Sequence, residues 1–302
     1  MNKLKAWFAL SRPPFHTVGI LPFVLGTILA RYQQGTFHLP VLIWGIAGVM
    51  LIMLVTYYAG EYWDYYEDHL SARLNPSKFA GGSRVIQRGV LPRHFARNAS
   101  FVCLVLALCV GIILQFGYRT GPWTLPLGIL GLLGGFFYSA RPVRWVSTGF
   151  GEIWIAFCYG WLPIAASYYL QTGSISPLVH WLALPVGLSI FNVILLNEFP
   201  DYGADQTAGK KNMMVRFGPK KASHLYAYIG SGGWIFFIVS LYHGVPKQAI
   251  WFYVPVFFAS FFLVVMVASG RWQDRFVLER LCGVNILVNL GTTAAYVLGF
   301  VV

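Results

Sequence analysis

The sequence predicts an all-α polytopic membrane protein with nine transmembrane helices. Of its 302 residues, 57% are hydrophobic and only 11% are charged, whereas soluble domains carry about 25% charged residues. Apolar stretches close to the roughly 20 residues needed to cross a bilayer recur along the whole chain. The basic residues are concentrated in alternate loops between these stretches, as in membrane proteins that have a fixed orientation.

The predicted spans follow one another with short connections. No linker or low-complexity tract divides the chain, so we expect a single domain over residues 1–302. The spans are residues 15–32, 40–60, 96–117, 122–140, 150–170, 179–199, 222–243, 250–269 and 279–300.

The basic residues also predict the orientation. With the N-terminus in the cytoplasm, 19 of the 22 Lys and Arg residues lie in cytoplasmic segments, and only Arg31, Arg119 and Lys247 lie outside. This bias follows the positive-inside rule and predicts an integral protein of the inner or plasma membrane. Topology and contact with anionic membrane lipid account for the net charge of +12. The charge therefore does not indicate a nucleic-acid partner.

Seven of the ten acidic residues lie in two short segments, 60–68 and 197–205. Each segment contains the pattern Glu-x-x-Asp-x-x-x-Asp, whose offsets place the three carboxylates on one face of a helix. The second and sixth spans both end on the cytoplasmic side, so the two motifs are predicted to meet. Their separation of about half the chain indicates a duplicated half. The motif residues are Glu61, Asp64 and Asp68, then Glu198, Asp201 and Asp205.

These carboxylates predict a site for divalent cations. One carboxylate at the bilayer centre costs roughly 2.5–3.5 kcal/mol on insertion scales, so we expect the motifs to face a wet cavity with counter-ions. Mg²⁺ fits because it is usually held by one or two carboxylates together with water and substrate phosphates. The four aspartates, Glu61 and Glu198 are the predicted metal ligands. A phosphorylated substrate would complete the coordination.

Basic residues close to the motifs are candidates for binding the anionic groups of a substrate. Guanidinium groups suit phosphate oxygens, and two glycines precede one of these arginines, which lets backbone amides approach an anion. The alternative for each residue is topology and lipid contact. The candidates are Arg84, Lys210, Arg216, Arg141 and Arg144.

The motifs resemble those of the UbiA-type intramembrane aromatic prenyltransferases, whose hallmark is Asn-x-x-x-Asp-x-x-x-Asp at cytoplasmic helix ends. The second motif matches at Asn197, Asp201 and Asp205. The first matches at both aspartates but has Gly60 in place of asparagine. The segments 138–144, 149–152 and 197–218, and Arg12-Pro13, are similar to the menaquinone-type branch.

The resemblance implies a nine-helix bundle with a central cavity and a cytoplasmic cap. It also implies Mg²⁺-dependent transfer of a polyprenyl group from polyprenyl diphosphate to an aromatic acceptor. In the menaquinone branch the acceptor is 1,4-dihydroxy-2-naphthoate, which loses its carboxylate. Asn197 and Tyr138 are then candidate substrate-binding residues. Glu152 is either a further candidate substrate-binding residue or an acid that the dipole at a helix N-terminus favours.

Two kinds of alternative function stay open. Other prenyltransferases of this type act on 4-hydroxybenzoate, homogentisate or the glycerol phosphate of archaeal ether lipids. A cation or lipid transporter could also use intramembrane carboxylates as an ion path. A transporter needs polar sites reachable from both faces, and the predicted outer half of this chain has no comparable acids.

Overall fold

The computed structural model describes residues 3–302, and within that range the chain is helical with no strand. Short 3₁₀ turns lie at Pro13–Phe15, Trp145–Ser147 and Arg271–Gln273. The helices are α1 (Lys3–Leu10), α2 (His16–Gln34), α3 (Leu39–Trp63), α4 (Tyr65–Leu74), α5 (Arg93–Ile112), α6 (Thr124–Ser139), α7 (Gly151–Ala156), α8 (Leu162–Thr172), α9 (Pro177–Thr207), α10 (Met213–Tyr242), α11 (Ala249–Ala268) and α12 (Arg275–Val301).

The predicted fold class is confirmed, and every predicted span falls on a helix. Among residues 3–302, eight helical segments are long and apolar enough to cross a membrane, and α6 is a shorter apolar helix. The fifth span consists of α7 and α8, which a π-helical turn at Phe157–Trp161 joins into one continuous helical segment. A second π-helical turn, Ile113–Gly117, extends α5.

The two acidic motifs differ in backbone structure. α3 ends at Trp63 and α4 begins at Tyr65, so Asp64 lies at a break between two helices. The prediction of one continuous helical face is therefore wrong for the first motif. The second motif lies wholly on α9, which continues through Pro200.

The bundle has two ends of different character. Loops 75–92, 140–150 and 208–212 lie at the end where α3 and α9 deliver the acidic motifs, which we call the motif face. Loops 35–38, 118–123, 173–176 and 243–248 lie at the other end, the opposite face. The motif face carries the longest connection, 75–92, which folds over the bundle as a cap.

Hydrogen bonds between helices fix the position of α9. Asn192 donates from Nδ2 to the carbonyl of Tyr226 at 3.1 Å, and Asn285 donates to the carbonyl of Asn192 at 2.9 Å. The Tyr226 hydroxyl lies 3.0 Å from Oδ1 of Asn285. Polar contacts of this kind contribute about 0.6 kcal/mol each between membrane helices. This network holds α9 against α10 and α12.

Small residues bring α2 and α8 together. The hydroxyls of Thr27 and Ser167 lie 2.7 Å apart across this contact. A Cβ on Gly26 would overlap the carbonyl oxygen of Ile164 and lie 2.8 Å from Cβ of Ser167. Close backbone approach at glycine is a common way to pack helices in lipid.

We therefore expect Gly26→Ala to lower the midpoint of thermal unfolding in detergent, because overpacking costs about 1–3 kcal/mol. The matched control is Gly233→Ala, at a buried helical glycine whose added Cβ meets nothing within 4 Å among the described residues. The control should unfold at the wild-type temperature. Equal midpoints for the two variants would contradict the close packing at Gly26.

Candidate active site

A cavity opens below the cap at the motif face. Residues from both acidic motifs line it, so the structure brings the two motifs together, as the sequence predicts. Among the sequence-predicted site residues, its lining contains Asp64, Asp68, Asp201, Asp205, Asn197, Glu198, Lys210 and Tyr138.

Asp64 is held from two sides. Arg144 donates from Nη2 to its Oδ1 at 3.1 Å and also pairs with Glu67, while the Ser139 hydroxyl donates to Oδ2 at 2.5 Å. Burial raises the pKa of Asp64, although the charges of Lys210 and Arg144 act in the opposite direction. Arg144 therefore anchors the first motif from behind and does not line the cavity.

Ser139 occupies the space left by the glycine at position 60. A Cβ built on Gly60 would lie 3.6 Å from Oγ of Ser139 and 3.9 Å from Oδ2 of Asp64. An asparagine side chain at this position would thus point at the same carboxylate that Ser139 now contacts. Asp64 receives a hydrogen bond from Ser139, at the end of α6, beside the glycine at position 60.

Asp68 lies close to two other carboxylates, Glu61 and Asp64. Burial, followed by the charges of Glu61 and Asp64, raises its pKa well above the usual value. The cations Arg12 and Lys210 only partly oppose this effect. A group of carboxylates in this condition has a deficit of positive charge, which a bound cation would relieve.

The cap loop is fastened to the second motif through Asp201. The Ser71 hydroxyl donates to its Oδ1, and the backbone amide of Gly81 donates to its Oδ2 at 3.2 Å. Gly81 and Gly82 have φ angles of 71° and 66°, a conformation that favours glycine. A Cβ on Gly82 would overlap the Asp68 carboxylate. The glycine pair thus lets the cap approach both motifs at once.

Asp205 is held by the segment that follows its own helix. Lys210 Nζ lies 2.9 Å from its Oδ1, and Asn212 donates from Nδ2 to its Oδ2 at 2.8 Å. Burial alone would lower the pKa of Lys210, but the charges of Asp205 and Asp64 outweigh it and raise the pKa. Lys210 therefore stays protonated inside the cavity.

Two oxygen atoms of the second motif have no hydrogen-bond partner among the described residues. They are Oδ1 of Asn197 and Oε2 of Glu198, both buried and both on residues that line the cavity. Buried oxygens without a donor are costly, and they are suitable ligands for a hard cation or its water.

The structure places two of the predicted acidic residues behind the cavity wall. Glu61 accepts from Nη2 of Arg12 at 3.0 Å and from the amide of Ser83 at 2.6 Å. Glu152 accepts from the amide of Met213 at 2.6 Å, at the beginning of α10. Both acids fix backbone segments that border the site.

Three predicted arginines lie away from the cavity lining. Arg84 donates to the carbonyl of Ser77 at 2.5 Å and so closes the cap loop on itself. Arg216 donates to the carbonyls of Lys211 and Thr148, at 2.6 Å and 2.8 Å, and joins two loops of the motif face. Arg141 is exposed, and within residues 3–302 it makes no hydrogen bond or ion pair.

Sequence reasoning missed Arg12 as a residue of the site. It lines the cavity, lies 5.8 Å from the ring centroid of Tyr57, and has a buried Nε without a partner in the described part of the chain. Tyr57 and Tyr159 line the same wall. The one sequence signal for Arg12 was the pair Arg12-Pro13, which is part of the family resemblance. The positive-inside rule alone also explains an arginine at this position.

The lining is suited to divalent cations that keep part of their water. Among residues 3–302, five carboxylates and only two cations, Arg12 and Lys210, line the cavity. No three His, Cys, Asp or Glu side chains in that range converge on one point. Mg²⁺ needs only one or two carboxylates beside water and phosphate oxygens. The donor set therefore fits hydrated Mg²⁺ that a substrate helps to hold.

Residues 20–286 match the model of the UbiA prenyltransferase family. The 1,4-dihydroxy-2-naphthoate octaprenyltransferase of Bacillus subtilis is 23% identical and aligns over 94% of this chain and 86% of its own. The Escherichia coli protein of the same name is 24% identical, over 96% and 94%. The 2-carboxy-1,4-naphthoquinone phytyltransferase of Synechocystis is 27% identical, over 73% and 69%.

Solved structures share the fold. A digeranylgeranylglyceryl phosphate synthase superposes with a TM-score of 0.68 at 13% identity, over 100% of this chain and 99% of that one. A UbiA homolog from Archaeoglobus fulgidus bound to GPP and Mg²⁺ gives 0.66 at 17% identity, over 96% and 99%.

The different positions of Arg144 and Arg141 lead to a testable prediction. Arg144→Gln should lower the free energy of unfolding by about 3 kcal/mol, because it leaves partly buried carboxylates without their cation. Arg141→Gln is the matched control and should leave stability unchanged. The measurement is the midpoint of thermal unfolding in detergent for both variants. Equal stability of the two would count against the anchoring role of Arg144.

Proposed function

The chain belongs to the UbiA prenyltransferase family, and from this membership we propose a Mg²⁺-dependent reaction in the acidic cavity. The enzyme transfers a polyprenyl group from polyprenyl diphosphate to an aromatic acceptor, 1,4-dihydroxy-2-naphthoate. The observation that carries the proposal is the meeting of both aspartate motifs in one cavity, with an excess of carboxylates over cations.

The negative charge of the cavity supports a metal ion as the bridge between the carboxylates and the diphosphate. Diphosphate is itself an anion, so five carboxylates alone would repel it. Asp64, Asp68, Asp201 and Asp205 would hold Mg²⁺, which when bound neutralises the diphosphate and makes it a better leaving group. Lys210 is placed to contact the phosphate oxygens directly, because its ammonium group is charged and lines the same cavity.

Aromatic side chains lie where the prenyl group would react. The bond between the first prenyl carbon and the phosphate oxygen breaks, and its electron pair leaves with diphosphate. The allylic fragment bonds to the ring carbon that carries the carboxylate, which leaves as CO₂ and returns the electron pair of its bond to the ring. The faces of Tyr57, Tyr138 and Tyr159 border this space and stabilise positive charge. Val18 and Ile190 form apolar wall beside them and exclude water that would capture the cation.

The acceptor assignment rests on two supports. The relatives named above from Bacillus subtilis and Escherichia coli act, by their names, on 1,4-dihydroxy-2-naphthoate. In addition, Arg12 presents a buried Nε without a partner within residues 3–302, which suits the carboxylate of such an acceptor. Phe15 follows on the same wall and offers an apolar surface for the rings.

We also propose that the motif face lies in the cytoplasm. The N-terminal segment, the connections at this end of the bundle and the helix ends beside them contain 19 of the 22 basic residues, and such segments stay on the cytoplasmic side. The active site would then take both substrates from the inner leaflet and the cytoplasm.

The direct test is a transfer assay with purified protein, Mg²⁺, a polyprenyl diphosphate and one arene at a time. We expect prenylated product from 1,4-dihydroxy-2-naphthoate at a rate at least about tenfold above that from 4-hydroxybenzoate or homogentisate. Mass spectrometry identifies the product. A preference for another arene would replace the acceptor, and no product from any acceptor would end the proposal.

Substitutions in the motifs test the metal role separately. Asp64→Asn and Asp201→Asn should each lower the transfer rate by about 100-fold or more, because each removes a charge that holds the diphosphate through metal. Asp274→Asn is the matched control. Asp274 accepts the amides of Phe276 and Val277 at the beginning of α12, outside the cavity, and asparagine caps a helix equally well. Wild-type rates in either motif variant would refute the assignment.

A further inference from the structure

The short helix α1 is apolar on two opposite sides. Ala6 and Leu10 are buried on the side that packs against the bundle, whereas Leu4 and Phe8, one helical turn apart, are 77% and 68% exposed. A surface helix in water has a single apolar stripe that faces the core. The second apolar side therefore indicates that α1 lies in the membrane interface, between the lipid headgroups and the upper part of the acyl chains.

α1 lies beside the beginning of α5 at the motif face. The rings of Trp7 and Phe95 meet edge to face with their centroids 5.7 Å apart, and the buried side of α1 packs in the same apolar cluster as Ala96. α5 begins at Arg93, and Lys3 is a further exposed cation at the beginning of α1. The exposed apolar side of α1 is therefore bordered by cations.

One side of α5 changes along the helix from cations to apolar side chains. Arg93, Arg97, Phe101 and Val105 follow one another at intervals of four residues, so they share this side. All four are exposed, Phe101 by 49% and Val105 by 57%. The backbone rises by about 12 Å from Arg97 to Val105. This order, with positive charge at the motif face and hydrocarbon towards the bilayer centre, matches the headgroup and the acyl chain of a phospholipid.

The two arginines of this side are held by tyrosines and not by acids. Arg93 donates from Nε to the carbonyl of Tyr62 at 2.8 Å. Its guanidinium carbon lies 4.5 Å from the ring centroid of Tyr62 and 5.2 Å from that of Tyr65, and that of Arg97 lies 5.7 Å from the Tyr62 ring. Within residues 3–302 neither arginine forms an ion pair. Contacts with ring faces orient the guanidinium groups without neutralising them, so the surface keeps their positive charge.

We propose that the surface formed by Leu4, Phe8, Arg93, Arg97, Phe101 and Val105, here called the α1–α5 surface, binds an anionic phospholipid. The phosphate group lies at the two arginines, and the acyl chains run along the apolar side of α5 and beneath α1. This binding is independent of the proposed function, since it involves no residue of the acidic cavity.

Charge complementarity selects an anionic lipid over a zwitterionic one. A zwitterionic headgroup carries its own cation, which needs an acid near the phosphate. Asp274 is the one exposed acid among residues 3–302, and it lies at the beginning of α12. α12 packs on α2, α9 and α11, so this acid does not border the α1–α5 surface. Cations near a membrane surface attract anionic lipid, and here two of them stand above an apolar stripe.

Native mass spectrometry of the full chain in a neutral detergent tests the proposal by counting bound lipids. The protein is titrated with phosphatidylglycerol, with phosphatidylcholine of the same acyl chains, or with inorganic phosphate. We expect one phosphatidylglycerol to bind at least about tenfold tighter than phosphatidylcholine, because each arginine favours an anionic headgroup. Equal affinity for the two lipids would overturn the proposal. Displacement of phosphatidylglycerol by an equal concentration of inorganic phosphate would also overturn it, because the site would then take a free anion.

Substitutions on each helix locate the binding. Arg97→Gln removes one charge and keeps the hydrogen bond between Arg93 and Tyr62, so it should weaken phosphatidylglycerol by about fivefold and leave phosphatidylcholine unchanged. Arg97→Lys retains the charge and should bind both lipids as the wild type does. Phe8→Glu places an acid on the exposed side of α1 and should likewise weaken phosphatidylglycerol more than phosphatidylcholine. Wild-type lipid preference in both Arg97→Gln and Phe8→Glu would refute the α1–α5 surface.

Lys220→Gln is the matched control. Lys220 is an exposed cation near the motif face on α10, which packs on α9 and α11, so its removal tests total charge without touching the α1–α5 surface. The control should keep the wild-type preference. Equal losses in Lys220→Gln and Arg97→Gln would overturn the site, because the preference would then follow the net charge of the protein. The elution profile and the unfolding temperature without lipid verify that each variant is folded.

Salt gives a second readout that does not depend on substitutions. Bound lipid raises the unfolding temperature, and we expect the rise with phosphatidylglycerol to exceed that with phosphatidylcholine at low ionic strength. Addition of about 1 M NaCl should remove most of this difference, because the Debye length falls to about 3 Å. A difference between the two lipids that persists unchanged in high salt would contradict an electrostatic choice by the arginines.

Discussion

The hydrogen bonds from Ser71 and Gly81 to Asp201 are the contacts on which the site depends. They join the helix and loop that follow the first motif to a carboxylate of the second, although about half the chain separates them. Without this connection each motif would be a set of carboxylates at the end of its own helix, and anions that face each other across a gap repel. Ser71 on α4 and Gly81 in the cap supply neutral donors in place of cations, so they bring the motifs together without neutralising them. The carboxylates remain available for a ligand.

Most of the positive charges near the site also leave the carboxylates of the lining without a counter-ion. Arg144, Arg84 and Arg216 are used behind the wall, where they hold a carboxylate or backbone carbonyls. Only Arg12 and Lys210, among the described residues, have their charge in the lining. Each of these is already paired with an acid, Glu61 or Asp205. Five carboxylates against two cations leave the lining with an excess of negative charge. An anionic site of this kind favours a divalent cation together with the anion that the cation binds.

Local sequence signals were sufficient for the fold and the identity of the motifs, since spans depend on composition and motif residues on spacing. They were insufficient for the roles of the loop arginines. Arg84 and Arg144 adopt left-handed backbone conformations, with φ of 60° and 51°, and the direction of such a side chain depends on contacts far away in the chain. Ser139 donates to Asp64 beside Gly60, and no pattern around either residue indicates this contact. The break at Asp64 was also hidden, because the helical periodicity of the motif continues on both sides of it.

Glycine has two opposite uses in this bundle, and only the neighbouring elements distinguish them. At Gly26 the missing side chain is replaced by the backbone of α8, so the residue joins two helices. At Gly128 the same absence leaves open space, because an added Cβ would meet nothing within 4 Å among the described residues. Both glycines lie in apolar helical sequence of similar composition. A bundle that only needed stability would fill the second kind of position, because unfilled volume loses dispersion contacts. The open volume beside Gly128 shares Thr56, Ile155 and Tyr159 with the lining of the acidic cavity, so the space at this glycine borders the site, whereas the space at Gly26 is filled by a helix contact.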